Sequence, residues 1–287
     1  MKSTLIFFLH GLTYAGLLFL VSSGLTLVFG MMNVLNFAHA TFYMLGAYIS
    51  WTLLRTTNNF WLSLAVAPAF LFCIGALVER FLLRRVHVLG HVHELLLTFG
   101  LAYVLSELVK WIWGTHPLAV PITGFLAQSV DLFGITYPVY RLFVFSAAIL
   151  VGVLMALVLY KTRVGIIIRG AVDDSDIVGA LGINVPVLFM AIFGFGAALS
   201  GFAGVIAGPL LTTFPGMGDA ILVDAFVVIV VGGLGSLGGA VIASFIIGEL
   251  QSFGVLLIPK FSLALIYLLM AVVLVARPSG LFGRQST

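Results

Sequence analysis

A chain of 287 residues that is 62% hydrophobic and only 8% charged, with a mean hydropathy of +1.25, is not an ordinary soluble domain, where about a quarter of residues are charged. Its 13 basic and 10 acidic residues give a formal charge of +3, and the basic ones are scattered between apolar runs as membrane anchors, which argues against a nucleic-acid partner. A single cysteine, Cys73, excludes an intramolecular disulfide.

A hydrocarbon core needs roughly 20 helical residues to cross. In chain order, the apolar runs predict spans at 5–29, 34–54, 61–83, 94–114, 141–160, 187–210, 220–235, 237–257 and 261–276. Residues 1–287 therefore form one all-α, polytopic transmembrane bundle in lipid, with eight or nine spans and broken or re-entrant segments. The run 220–235 is short and ends in "GGLGSLGG", either a tight turn between spans or the tip of a re-entrant segment. No intervening stretch is long enough for a soluble core, so any ATP-binding or solute-capturing module is expected on other chains.

Lysine and arginine placement sets the orientation. With 84–93, 161–186 and the C-terminus inside, the inner side collects Arg80, Arg84, Arg85, Lys161, Arg163, Arg169, Arg277 and Arg284. Lys2, Arg55, Lys110, Arg141 and Lys260 remain outside. The N-terminus is then external, as is 115–140, whose Pro, Gly and apolar content predicts a plug or short surface helices.

The first irregular feature is "GMMNVLNFAHATFYMLGAY", residues 30–48. Gly30 and "MMN" predict a break between spans, after which Asn33, Asn36, His39 and Thr41 follow at spacings that place Asn33, Asn36 and His39 on one helical face. Polar groups inside a membrane bundle face a cavity or one another. This face is expected to cap the break and to line or gate a path; satisfying backbone groups at an interhelical break fits the same residues.

Next comes "HVLGHVH", whose His87, His91 and His93 have the spacing of metal ligands. His10, His39 and His116 stand apart, so no coordination shell is completed and no metal is expected. The three join Arg84 and Arg85 in an interfacial loop, with Glu94 available to cap the next span. Of the acids inside apolar runs, Glu107 can pair with Lys110 three residues on, while Glu249 has no sequence-local partner.

The loop of about 161–186, "KTRVGIIIRGAVDDSDIVGALGINVP", is the most polar segment. Asp173 or Asp174 can cap a short helix that Gly182 ends, leaving Ile177, Val178, Ala180 and Leu181 as an apolar surface outside the membrane. Such a short helix is marginal alone and needs a docking surface. Beyond it, Gly196, Ser200, Gly204 and Gly208 recur every four residues, a smooth helix face against which another helix must lie. A second small-residue file runs through Gly235, Gly239, Ala240, Ser244 and Gly248.

Four stretches in this order resemble the permease subunit of the bacterial branched-chain amino acid ABC importers: "SSGLTLVFGMMNVLNFAHATFYMLGAYIS", "ELLLTFGLAYVLSELVKWIWG", "GIIIRGAVDDSDIVGALGINVPVLFMAIFGFGAALSGFAGVIAGPL" and "DAFVVIVVGGLGSLGGAVIASFIIGEL". The closing "RPSGLFG" fits too, so the likeness covers about residues 10–284. It implies a type II-like importer permease in the bacterial inner membrane, a second related permease, two cytoplasmic ATPase subunits that bind ATP and Mg, and a periplasmic substrate-binding protein. It also implies that Arg169–Asn184 holds a coupling helix seated on the ATPase, with Arg169, Asp173, Asp174, Ala180, Leu181 and Gly182 as the positions carried over. The Glu-Ala-Ala opening of the wider importer loop motif is absent, so these contacts are assigned by location. Similar permeases serve urea, short amides or aromatic acids, and an ion-coupled carrier is the rival class, resting on Glu107 and Glu249.

Overall fold

The computed structural model describes residues 2–122, 124–132 and 134–283. Their helices are α1 (Lys2–Met32), α2 (His39–Thr57), α3 (Phe60–His87), α4 (His91–Trp113), α5 (Val139–Lys161), α6 (Arg163–Asp173), α7 (Ser175–Ala180), α8 (Val185–Leu211), α9 (Met217–Gly232), α10 (Leu237–Leu257) and α11 (Pro259–Ala276). A hairpin of β1 (Ser129–Leu132) and β2 (Ile135–Pro138) precedes α5.

Seven helices, α1, α3, α4, α5, α8, α10 and α11, are long and apolar enough to cross a membrane. The two remaining expected spans are different objects. The run at 34–54 becomes helical only at His39, and α2 carries His39, Thr41 and Arg55 among its 19 residues. Helix α9 has 16 residues, about 24 Å, short of the roughly 30 Å hydrocarbon core. Both are inner elements: α2 buries Phe42, Tyr43, Met44 and Tyr48, and α9 buries Val227, Val228 and Ile229. Helix α1 is the axis, with 83% of its most apolar window buried against 11% for α4 and α11 at the rim.

Lipid supplies little drive for apolar helices to pair, so close backbone approach has to come from small side chains. On α8, Gly196 sits against Gly24 and Val28 of α1, the Ser200 hydroxyl donates to the His39 carbonyl at 2.6 Å, and Gly204 abuts the Tyr43 carbonyl of α2. Gly208 meets Val120 and Thr213. On α10, Gly248 faces Ala15 and Gly11, while Gly239 faces Gly232. Gly235 is not on that helix: it lies in the 233–236 turn, where Gly233 (φ 101°) and Gly235 (φ 76°) take left-handed backbone and Ser236 caps α10 through the Gly239 N–H at 3.1 Å. "GGLGSLGG" is thus a tight turn.

In place of a set of surface helices, the described residues of the loop read as external form a 3-10 turn at Gly124–Ala127 and the hairpin, whose Ile135 and Tyr137 point inward in strand alternation. Lys2 donates to the Gly134 carbonyl at 3.2 Å, and the Tyr140 hydroxyl donates to the Ile206 carbonyl at 2.8 Å. The segments read as cytoplasmic gather at the opposite end: Arg84 donates to the Pro186 carbonyl at 2.7 Å, and Leu281 and Phe282 bond to Val231 and Gly232. Arg284, counted among the inner charges, lies outside the described residues.

A methyl group at Gly204 would meet backbone, 2.8 Å from the Tyr43 carbonyl carbon and 3.1 Å from the Ala47 nitrogen, whereas one at Gly100 on α4 meets nothing within 4 Å. Gly204→Ala is expected to cost about 1–3 kcal/mol of overpacking, and Gly100→Ala, in open space inside a helix, to gain up to about 1 kcal/mol. Thermal unfolding of the two purified variants checks this; equal midpoints would place α8 away from α2.

Candidate translocation and coupling sites

Helix α1 does not break at Gly30, which packs face to face on Gly235, with a Cβ there 2.9 Å from the Gly235 Cα. It ends at Met32, and Asn33 closes it in left-handed backbone (φ 52°), its N–H bonding the Phe29 carbonyl at 2.8 Å. Asparagine tolerates that conformation better than branched residues do. Residues 33–36 then have no regular secondary structure.

This corrects the helical spacing assumed for the polar residues. Asn33 is exposed and Asn36 buried, so they share no face, and the non-helical connection separates Asn33 from His39. Asn36, His39 and Thr41 do go inside. The His39 ring is fully enclosed, with Nε2 3.0 Å from the Val21 carbonyl of α1. A carbonyl only accepts, so Nε2 holds the proton; Nδ1 has no partner and the ring is neutral. Gly24 makes the room: a Cβ there would stand 2.9 Å from His39 Cε1. Asn36 Oδ1 is likewise buried without a partner. Alongside, Gly218 in the first turn of α9 leaves space for the Ala40 carbonyl, so α2 and α9 both start inside the bundle, side by side. Two interrupted helices with under-satisfied polar atoms at their junction are the arrangement expected near a solute path.

The second site is the segment 161–186, read from the sequence as cytoplasmic. Residues 161–186 are not a bare connector: Thr162 caps α6, whose inner face buries Gly165, Ile168 and Ala171. Asp174, not Asp173, caps α7, its Oδ1 accepting from the Asp176 and Ile177 N–H groups at 2.9 and 3.0 Å. Gly182 follows with φ 85°. The expected four-residue apolar surface divides. Val178 turns in against Gly170, while Ile177 and Leu181 stay 59% and 75% exposed beside exposed Ala180. Arg169 parts company with this surface: it turns back to donate to the Leu159 carbonyl and lies over the Tyr160 ring.

Two acid networks pin the same end. Glu79 and Glu94 are each 1% exposed. The π-helical turn Glu79–Leu83 within α3 brings Arg84 over Glu79, and the pair closes at 3.0 Å while Arg84 also reaches Pro186. Glu94, expected as a cap, instead takes both His87 and His91, at 3.2 Å from the latter. Among the described residues no three His, Cys, Asp or Glu side chains converge as a metal site requires. Glu107 and Lys110 pair at 2.6 Å, and both Glu249 oxygens lie buried without a partner, pressed on Gly11. Sequence reasoning passed over Asp224, to which the Tyr14 hydroxyl donates at 2.5 Å. Its signal was an acid inside the apolar run of α9.

A family model described as the branched-chain amino acid transport system permease component matches residues 7–274. The high-affinity branched-chain amino acid transport system permease protein BraD of Pseudomonas aeruginosa is 27% identical, over 96% of this chain and 94% of its own length. LivH of Escherichia coli, of the same description, is 26% identical over 96% and 94%. A probable branched-chain amino acid transport permease of Methanocaldococcus jannaschii is 29% identical over 83% and 77%. No solved structure matches.

His39→Leu removes an internal hydrogen bond and is expected to lower stability by about 1–2 kcal/mol, while Asn33→Gly, which suits left-handed backbone, should leave the unfolding midpoint unchanged. An unchanged midpoint for His39→Leu together with lost uptake would move His39 from packing to the solute path.

Proposed function

Because this chain belongs to the branched-chain amino acid transport system permease family, we propose that it forms half of the translocation pathway of an ATP-driven importer. The other half is a second, related permease; two cytoplasmic ATPases bind ATP and Mg and drive the cycle; a periplasmic protein delivers the solute. The proposed solute is a branched-chain amino acid, as the printed descriptions of the relatives name. The chain has no catalytic role of its own in this scheme, and its seven apolar spans make it a multi-pass membrane protein.

The observation that carries the reading is the exposed apolar pair Ile177 and Leu181 on a short helix fixed from behind. A six-residue helix has little stability alone. Here the Asp174 cap, the inward Val178 and the packing of α6 on α1 hold it in place, so its outer face is presented rigidly. A pre-ordered apolar surface is what docking on a second protein needs, since less ordering entropy is lost on association. Movement of an ATPase would reach the bundle through α6 to α1 and through Pro186 and Arg84 to α3.

Leu181→Asp tests the coupling contact. It puts a charge where the partner should be apolar, and association with the ATPase is expected to fall at least tenfold with membrane levels unchanged. Val178→Asp, on the inward side, should lower yield instead. Co-purification with the ATPases and ATP-dependent uptake in proteoliposomes read both. Full uptake by the wild-type chain with no ATPase present would sink the importer assignment in favour of an ion-coupled carrier.

A further inference from the structure

At the cytoplasmic end a cavity of about 330 Å³ opens between α1, α5, α6, the 233–236 turn and Phe282. Asn36, His39 and Thr41 do not line it, although Gly30 near the end of α1 does. Its polar wall is Arg169, Ser23, Thr26, Tyr160 and Ser236; Leu27, Met155 and Ile168 supply an aliphatic wall.

Arg169 gives the cavity its sign. One of its five N–H donors goes to the Leu159 carbonyl, and the guanidinium lies 5.6 Å from the centre of the Tyr160 ring. Among the described residues no carboxylate pairs with it, and no acid lines the cavity. A half-buried guanidinium that no described acid meets in the cavity wall favours an anion, and arginine's fork suits carboxylate or phosphate. Thr26 lines the cavity as a residue, but its hydroxyl is itself buried without a partner, whereas Ser22 and Ser23 on the same helix bond back to Leu18 and Leu20, at 2.6 and 2.9 Å. The volume is at the small end of ligand pockets, which run from roughly 300 to 1,000 Å³.

We propose that this cavity binds a small anion carried on an aliphatic body, with Arg169 taking the anionic group and Leu27, Met155 and Ile168 the aliphatic part. A branched-chain carboxylate from the cytoplasm and the headgroup region of an anionic lipid share that chemistry. Bound there, the anion bridges α6 to α1 and stiffens the segment that carries α7. That consequence for coupling rests on the importer reading; the binding chemistry does not.

The test uses the full chain in nanodiscs of neutral phosphatidylcholine, titrated by calorimetry with leucine, 4-methylpentanoate and 3-methylbutylamine. The two acids should bind and the amine should not. Arg169→Gln should weaken binding at least tenfold, with Arg169→Lys recovering part of it. Val172→Trp, at the half-open rim of the cavity, should block entry without touching the charge. Hydrogen exchange across 163–180 should slow on binding in the wild type alone. Nanodiscs containing phosphatidylglycerol separate the sources: Arg169-dependent displacement of the acid assigns the site to lipid headgroups, and undisturbed binding assigns it to the soluble acid, either supporting the anion site. Absence of both acid binding and Arg169-dependent exchange protection by phosphatidylglycerol, or acid binding that both Arg169→Gln and Val172→Trp leave intact, overturns the proposal. Loss of ATP-driven uptake with acid binding intact would fault the importer reading instead.

Discussion

Everything in the bundle depends on α8 lying with its backbone almost touching those of α1 and α2. Because the surrounding lipid is as apolar as the side chains, burying leucine against leucine gains little there, and cohesion comes from dispersion contacts and internal hydrogen bonds. Gly196, Ser200, Gly204 and Gly208 remove the side-chain bulk that would hold the helices apart. Their spacing of four residues turns that removal into a continuous groove. The same device recurs where Gly248 of α10 meets Gly11 and Ala15 of α1, so the most buried helix is gripped from two sides by glycine faces.

That closeness lets the chain tolerate an interruption inside the bundle. A helix that stops within apolar surroundings strands backbone groups, each costly unless answered by protein. At the start of α2 the stranded groups are N–H donors, and those of His39 and Thr41 reach the Asn36 and Ala38 carbonyls; the Ser200 hydroxyl adds a bond to the His39 carbonyl and the His39 ring one to Val21, in the space left by Gly24. Not every atom is satisfied: Asn36 Oδ1, His39 Nδ1 and both Glu249 oxygens lie buried without partners. Those of Asn36 and His39 lie at the helix break, while Glu249 is packed on Gly11, farther along α1.

At the opposite end of the bundle, the one read as cytoplasmic, buried acids set the packing. Glu79 and Glu94 are taken out of water but paired, with Arg84 and with His87 and His91, and Arg84 also grips the start of α8 through Pro186. Removing one partner from such a group costs far more than the pair contributes, so these contacts specify geometry more than they add stability. They join α3 and α4 to the start of α8 at one end of the segment 161–186, while α6 packs on α1 at the other.

The membrane character, the small-residue face of α8, the break after Met32, the glycine turn before α10 and the capped helix after Asp174 were all legible in the sequence. Each is set by local chemistry: apolar length, four-residue spacing, a turn's need for positive φ, a side chain reaching its own backbone. What failed was whatever depended on elements distant in sequence. Helical spacing put Asn33 beside Asn36, but Asn33 takes left-handed backbone and residues 33–36 have no regular secondary structure. Arg169, carried over with Leu181 from the family resemblance, turns back to the Leu159 carbonyl and the Tyr160 ring, whereas Leu181 stays exposed. Asp224 was overlooked because its partner, Tyr14, is 210 residues away. Periodicity records which face of a helix is smooth; only the tertiary structure decides which neighbour fills it, because that choice is made by backbone carbonyls and side chains that sequence spacing does not connect.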